Sequence, residues 1–252
     1  MIVNYKEDGW EIITQRSHGL LAAQFGAQWK KVLQPRRWVE TLMAIAEHDD
    51  AENELDGENL LTSTGGPLNF DMKNFEPDHC KKLASLTLTK SRYIALLTSM
   101  HMDFLYRKEE DNNAGVKTFL TEQRRLQAVW RRELGLTKEE AQKQYAFLEW
   151  CDALSLLLCK GEMQPEMRRT EISTGPDNVV YSLVQTGNET ITLEPWPFKD
   201  PAFEVYFESR RLKQIQFHSS EELRQAFLSA EVVENVWQVV KQKVPHQPKK
   251  KV

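Results

Sequence analysis

The spacing of apolar residues changes near Pro165, and this change limits the possible fold more than any other feature of the sequence. Between about residues 16 and 161, apolar residues recur every three or four positions, which is the period of an amphipathic α-helix. After Pro165 they occur in short runs separated by turn-forming residues, a pattern typical of β-strands. A block of helices followed by a block of strands predicts the α+β class.

The two ends of the chain extend this prediction. Alternating apolar and polar residues flank Asp8-Gly9, which indicates a hairpin because glycine accepts the positive φ of a tight turn. From Leu223 to about Val244, apolar residues again have helical spacing. We therefore expect four parts: residues 1–15, a β-hairpin that joins the sheet; 16–161, a helical domain; 162–244, a small antiparallel sheet with a C-terminal helix; and 245–252, a disordered basic tail.

Residues with metal-binding chemistry lie on the apolar faces of four predicted helices. They are His18, His48, Asp49, His101 and Asp152. Imidazole nitrogens and carboxylate oxygens bind divalent ions, and packed helices bring such side chains to one point. Asp152 lies among apolar neighbours, where an unpaired carboxylate is costly. The set predicts a divalent transition metal, and these ligand types do not discriminate among Zn, Fe, Mn, Co and Ni.

Three of these residues also have a purely structural interpretation. Asp152 could form an ion pair with Arg124 or Arg125 of the preceding predicted helix. His18 or His101, taken singly, is compatible with a hydrogen-bonded core histidine. The joint placement on four inward faces favours the metal site.

The segment from about Ala51 to Pro77 has no sustained periodicity and contains several turn signals. Long loops without regular structure are uncommon in compact domains and are often functional. We predict that this segment forms a lid or a wall of the binding pocket.

The bulk composition excludes several classes of function. A formal net charge of -4 provides no basic excess for nucleic acid. Three cysteines without CxxC spacing indicate neither a disulfide framework nor a thiolate zinc site. No apolar stretch approaches the roughly 18 residues of a membrane span, and no signal-peptide core is visible. We expect a cytoplasmic protein with a small-molecule substrate and no membrane partner, and the sequence does not indicate its oligomeric state.

Several segments resemble a prokaryotic family filed as domain of unknown function 3891. They are MIVNYKEDGWEIITQRSH, AIAEHDD, GGPLNF, LLTSMHMDFLY, CDALSLLLC, EPWPF and HSSEEL, and they span nearly the full length. The order of a His, a His-Asp pair and an Asp on successive helices more distantly resembles the HD-domain superfamily of metal-dependent phosphohydrolases. Relatives in the first family usually continue after His-Asp-Asp with Gly-Trp, whereas this chain has Ala51-Glu52.

The HD resemblance implies an HD-like helical bundle and assigns roles to individual residues. His18, His48, Asp49 and Asp152 would be the metal ligands. His101 would bind a second metal or act as an acid, Asp50 would orient the attacking water, and Arg92 would bind a substrate phosphate. The metal would lower the pKa of water toward about 7 and polarise a phosphoryl oxygen.

Three functions agree with these features. The first is a metal-dependent hydrolase of a phosphoester or nucleotide-like substrate. The second is an HD-type dinuclear iron oxygenase, which needs additional ligands. The third is a non-catalytic ligand-binding or interaction module, which the departure at Ala51-Glu52 favours.

Overall fold

The computed structural model of the protein describes residues 1–51 and 54–244. The predicted tail, residues 245–252, lies outside the described residues, as does Glu52 of the Ala51-Glu52 step. The described part contains seven α-helices: α1 (Gln15–Ala27), α2 (Trp38–Ala46), α3 (Pro77–Lys90), α4 (Arg92–Tyr106), α5 (Ala114–Leu134), α6 (Lys138–Lys160) and α7 (Ser220–Ser229). Within these same residues, no helix has the length and apolar character needed to cross a lipid bilayer.

Seven β-strands, again counted over the described residues, form one sheet. They are β1 (Ile2–Lys6), β2 (Gly9–Ile13), β3 (Thr170–Thr174), β4 (Val180–Gly187), β5 (Thr190–Glu194), β6 (Ala202–Leu212) and β7 (Glu231–Val240). Their order in the sheet is β1-β2-β6-β7-β5-β4-β3. All neighbours are antiparallel except β5 and β7, which are parallel.

This sheet corrects the predicted fold. The α+β class holds, but a small antiparallel sheet packed on an HD-like bundle is wrong, because the sheet is large and mixed. The predicted C-terminal helix ends at Ser229, and the chain continues as β7. Five of the ten β7 residues are valine, and β-branched side chains favour strands over helices. β7 then pairs with β6 along its whole length.

The helices and the sheet share the main hydrophobic core. Buried side chains of α1, α2, α4 and α6 pack with those of β4, β5 and β6. A second core forms where α7 packs on the sheet, and it contains Ile12, Leu212, Phe217 and Phe227. Ile12 and Ile13 are adjacent on β2 but belong to different cores, since neighbouring strand residues face opposite sides. The sheet is therefore buried on both faces at this strand.

Local capping fixes the helices that carry the predicted metal ligands. The Thr14 side chain accepts a hydrogen bond from the Ser17 amide at the start of α1, and Ser91 accepts one from the Ile94 amide in α4. At α6, Thr137 and Glu140 form a reciprocal capping box, and Gly161 ends the helix with a φ of 67°. These caps set where each helix begins and hence which residues face the core.

Candidate metal centre

The five residues with metal-binding chemistry meet at one point in the interior. His18 comes from α1, His48 and Asp49 from the turn after α2, His101 from α4 and Asp152 from α6. Their ligand atoms form two overlapping groups, His18 with His48 and Asp152, and His48 with Asp49 and His101. Within each group all ligand atoms lie within 4.8 Å of one another.

Hydrogen bonds fix the tautomers of two of the histidines. His48 Nδ1 lies 2.7 Å from the Ile45 carbonyl oxygen, which only accepts, so Nδ1 carries the hydrogen. The Ser155 hydroxyl donates to the Asp152 carbonyl at 2.9 Å. Its oxygen therefore accepts from His18 Nδ1, 2.7 Å away. In its neutral form, each imidazole therefore directs an Nε2 lone pair into the cluster.

The two Nε2 atoms lie too close to remain without a positive charge between them. They are 3.2 Å apart, and Asp152 Oδ1 lies 3.2 Å from His18 Nε2 and 3.3 Å from His48 Nε2. Lone pairs and a carboxylate facing one another repel unless a proton or a metal ion intervenes. Ligands about 2.0–2.2 Å from one ion lie about 3.3–3.6 Å apart in tetrahedral geometry. The observed separations fit a shared ion.

Both carboxylates present oxygens to two sides of the cluster. Asp49 Oδ2 is 3.4 Å from His48 Nε2, while its Oδ1 is 3.8 Å from His101 Nε2. The other oxygen of Asp152, Oδ2, lies 4.0 Å from His101 Nε2. Gln15 orients Asp49 by donating to Oδ2 at 3.1 Å. His101 therefore faces the same carboxylates from the opposite side, at longer range.

The pKa directions reflect this concentration of charge. Burial lowers the pKa of His48, but the Asp49 and Asp152 carboxylates raise it, and the net direction is well above the ordinary value. Burial raises the pKa of Asp152, yet the His48 and His18 imidazoles hold it well below its usual range. Burial and the neighbouring His48 lower the pKa of His101. The surroundings thus favour positive charge on His48 and negative charge on Asp152.

A glycine permits the close approach of the elements that carry His18 and His48. A Cβ built on Gly19 would lie 2.4 Å from the Ala46 carbonyl oxygen, at the end of α2. Real Cβ atoms do not approach a backbone oxygen so closely. Because Gly19 follows His18 directly, this contact sets how near α1 lies to the His48 turn.

Gly19→Ala is therefore expected to separate the two histidines and to weaken metal binding. Relief of the clash requires a backbone shift, and such overpacking costs typically about 1–3 kcal/mol. Urea unfolding and metal content, measured on the same preparation, check both effects. Ala23→Gly, on the same helix, is the control for a changed helix propensity. Unchanged stability with full metal content in Gly19→Ala would contradict this account.

The structure does not bring all predicted catalytic residues to the cluster. Asp50 is bound by Arg16 at the surface, with 2.6 Å between Arg16 Nε and Asp50 Oδ1. Arg92 is exposed and pairs with Glu133 at 2.9 Å. It precedes His101 by nine positions on α4, about 13 Å along a helix. A phosphate held at the metal centre would thus be out of reach of Arg92.

The alternative ion pairs for Asp152 do not form. Arg124 contacts Asp103 and Glu110, and Arg125 contacts Glu122. Among the described residues, the basic side chains that contact Asp152 are the three histidines of the cluster. Asp152 is thus a member of the histidine cluster.

A cavity of about 290 Å³ opens at Asp49. Asp49 is the most accessible member of the cluster, with 24% of its side chain exposed. The segment predicted as a lid or pocket wall contributes several lining residues: Glu54, Phe70, Asp71, Lys73, Asn74 and Glu76. The cluster is therefore approached from the Asp49 side, past this loop.

Sequence reasoning missed several residues that support the cluster. Gln15 holds Asp49, and Tyr145 places its hydroxyl 3.4 Å from His101 Nδ1. The Ile45 carbonyl orients His48. Ser155 has a sequence signal, since it lies one helical turn after Asp152 on the same stripe. Gln15 and the carbonyl have none, because their contacts depend on tertiary packing.

Comparisons with known proteins give one match. Residues 1–214 match the family described as protein of unknown function (DUF3891). No curated protein and no solved structure matches the chain. The match covers most of the sequence and includes every residue of the candidate metal centre. The chain therefore belongs to the DUF3891 family.

Proposed function

We propose that the protein is a divalent-metal-dependent hydrolase of a phosphoester or nucleotide-like substrate. The observation that supports a metal ion is the convergence of His18 Nε2 and His48 Nε2, 3.2 Å apart, with Asp152 Oδ1 within 3.3 Å of both. A bound divalent ion supplies Lewis-acid polarisation of a substrate oxygen and makes water nucleophilic at neutral pH. The order of the ligands along the chain, which resembles that of HD domains, supports hydrolysis of phosphoesters.

Different residues of the site would have different roles. His18, His48, Asp49 and Asp152 would hold the ion, and their two carboxylates would balance its charge. Ser155 and the Ile45 carbonyl keep both imidazoles in the ligand tautomer. His101 Nε2, 3.8 Å from Asp49 Oδ1, would donate a hydrogen bond to a leaving oxygen on that side.

The cavity at Asp49 restricts how a phosphoester can bind. Its carboxylates are Asp49, Glu54, Asp71, Glu76 and Glu109. Lys73 is the only lysine or arginine among the described residues that line it, and it pairs with Glu76. Such a lining repels a free phosphate dianion. We therefore expect a substrate whose phosphate is already complexed by a divalent cation, as in a magnesium nucleotide.

A dinuclear iron oxygenase is the second candidate, and one observation favours it. Asp49 Oδ1 and Asp152 Oδ2 both lie within 4.0 Å of His101 Nε2, so these three side chains would hold a second ion. Loading with Fe(II) under anaerobic conditions, followed by exposure to oxygen, separates the candidates. A visible absorption band that forms with oxygen uptake would favour the oxygenase over a redox-inert hydrolase.

An activity screen tests the proposed hydrolase. The full chain is stripped of metal, reconstituted separately with Mn, Fe, Co, Ni or Zn, and assayed with phosphomonoesters, phosphodiesters and magnesium nucleotides. We expect hydrolysis that depends on one or more of these metals. Asp152→Asn should lower the rate by at least about 100-fold, because it removes a ligand charge.

The matched control is Asp111→Asn, which removes an exposed carboxylate outside the cluster and outside the cavity at Asp49. It should retain the wild-type rate. If metal-loaded wild-type protein hydrolyses none of these substrates, the hydrolase proposal fails. Stabilisation of the metal-free protein by nucleotides, with no effect of metal, would instead indicate a binding module.

A further inference from the structure

A second cavity lies among α4, α5 and α6. Its volume is about 410 Å³, within the size range of small-molecule sites. It shares no lining residue with the cavity at Asp49. We name it the α4-α6 cavity.

Cationic side chains from α5, α6 and the turn after α4 line the α4-α6 cavity. Arg107 follows directly after α4, Arg124 and Arg131 lie two turns apart on one face of α5, and Lys138 begins α6. Asp103 is the only carboxylate among the described lining residues. In a chain of net charge -4, this is a local reversal of sign.

Carboxylates neutralise only half of these cations. Arg124 contacts Asp103 at 2.7 Å and both oxygens of Glu110 at 2.8 Å, and Arg107 contacts Asp103 at 3.3 Å. Within the described parts of the chain, the side chains of Arg131 and Lys138 form no hydrogen bond or ion pair. Two carboxylates against four cations leave a net charge of two positives.

We propose that the α4-α6 cavity binds a small, multiply charged oxyanion, such as a phosphate group. Arg131 and Lys138 would bind it from α5 and α6, since guanidinium and ammonium groups are the usual partners of phosphate. Asp103 and Glu110 keep Arg124 in a fixed position beside them. Asp103 and Glu110 leave two of the four positive charges without a partner. A bound anion would reduce the repulsion among these cations.

The α4-α6 cavity adjoins the metal centre without opening into it. The buried side chain of Tyr145 lines the cavity and places its hydroxyl 3.4 Å from His101 Nδ1. The anion site therefore lies one side chain away from the cluster. It stands independently of the proposed hydrolase, because none of its cations belongs to the metal centre.

Titration calorimetry at constant ionic strength tests the proposal. The full chain is titrated with inorganic phosphate, pyrophosphate and ribose 5-phosphate in separate experiments. We expect saturable binding of one equivalent. Arg131→Gln and Lys138→Gln should each weaken it by at least about tenfold, since each removes a charge-assisted hydrogen bond. Tighter binding of the sugar phosphate would identify a phosphorylated metabolite, and tighter binding of the inorganic ions a free anion.

Two controls separate this site from other sources of binding. Arg125→Gln removes the same charge from α5, but Arg125 is exposed, pairs with Glu122 and lies outside the cavity. It should bind like wild type, as should His48→Ala. Absence of binding to any probe at millimolar concentration would overturn the proposal. So would equal weakening by Arg125→Gln, or loss in His48→Ala with retention in Arg131→Gln.

Discussion

His48→Ala is expected to abolish metal binding, whereas wild-type protein retains close to one equivalent of a transition metal per chain. The Nε2 atom of His48 lies within 3.2–3.4 Å of ligand atoms from His18, Asp152 and Asp49. Its loss therefore removes the donor that the two groups of ligand atoms have in common. Elemental analysis after dialysis measures the amount of metal bound per chain. His218→Ala, an exposed histidine outside the cluster, is the matched control and should bind metal as wild type does.

A variant with an intermediate effect distinguishes loss of a metal ligand from misfolding. Ser155→Ala leaves every ligand in place but removes the partner of His18 Nδ1. Loss of such a supporting hydrogen bond typically lowers metal affinity about 10–100-fold. We expect Ser155→Ala to bind metal more weakly and His48→Ala not to bind it. Wild-type protein that gains no metal on reconstitution would refute the site.

Metal binding should also raise the melting temperature of the protein. Metal at roughly 100 times its Kd stabilises the folded state by about 2.7 kcal/mol when the unfolded chain does not bind it. For a chain of this length, that corresponds to roughly 5–11 °C in Tm. The shift should be absent in His48→Ala. An equal shift in both proteins would place the metal elsewhere.

Trp29→Ala is expected to destabilise the protein by about 3–5 kcal/mol. Trp29 follows α1 and is fully buried. The centroid of its ring lies 4.8 Å from that of Trp150 and 5.0 Å from that of Phe147. It also contacts Tyr181 of β4 and Phe198. The substitution leaves a cavity where the helices meet the sheet. Urea unfolding measures the change in the free energy of unfolding.

Leu20→Ala provides the control for this second prediction. Leu20 belongs to α1, but 61% of its side chain is exposed. Its truncation should change the free energy of unfolding by no more than about 0.5 kcal/mol. A cost below about 1 kcal/mol for Trp29→Ala would show that the aromatic core is not essential for stability.

The C-terminal segment shows where local pattern misleads. Phe227, Val236 and Val240 have helical spacing, which predicts one long helix. The structure ends that helix at Ser229 and pairs residues 231–240 with two strands. Short apolar runs are compatible with either period, and strand preference depends on the neighbours that a segment meets. Here β6 supplies those neighbours.

The sequence by itself determined which side chains face inward. Helical periodicity places His18, His101 and Asp152 on apolar stripes, because side chains three and four positions apart share a face. A buried carboxylate also requires a positive partner, so the presence of a charged cluster follows from local chemistry.

Only the tertiary structure decided how these side chains are arranged. The 3.2 Å between His18 and His48 depends on the contact of Gly19 with Ala46, and the tautomers depend on Ser155 and Ile45. Packing likewise directed Arg92 to Glu133 and assembled the cations of the α4-α6 cavity. Periodicity specifies a face within one element. Distances between elements arise from packing of residues far apart in the chain, which no local pattern encodes.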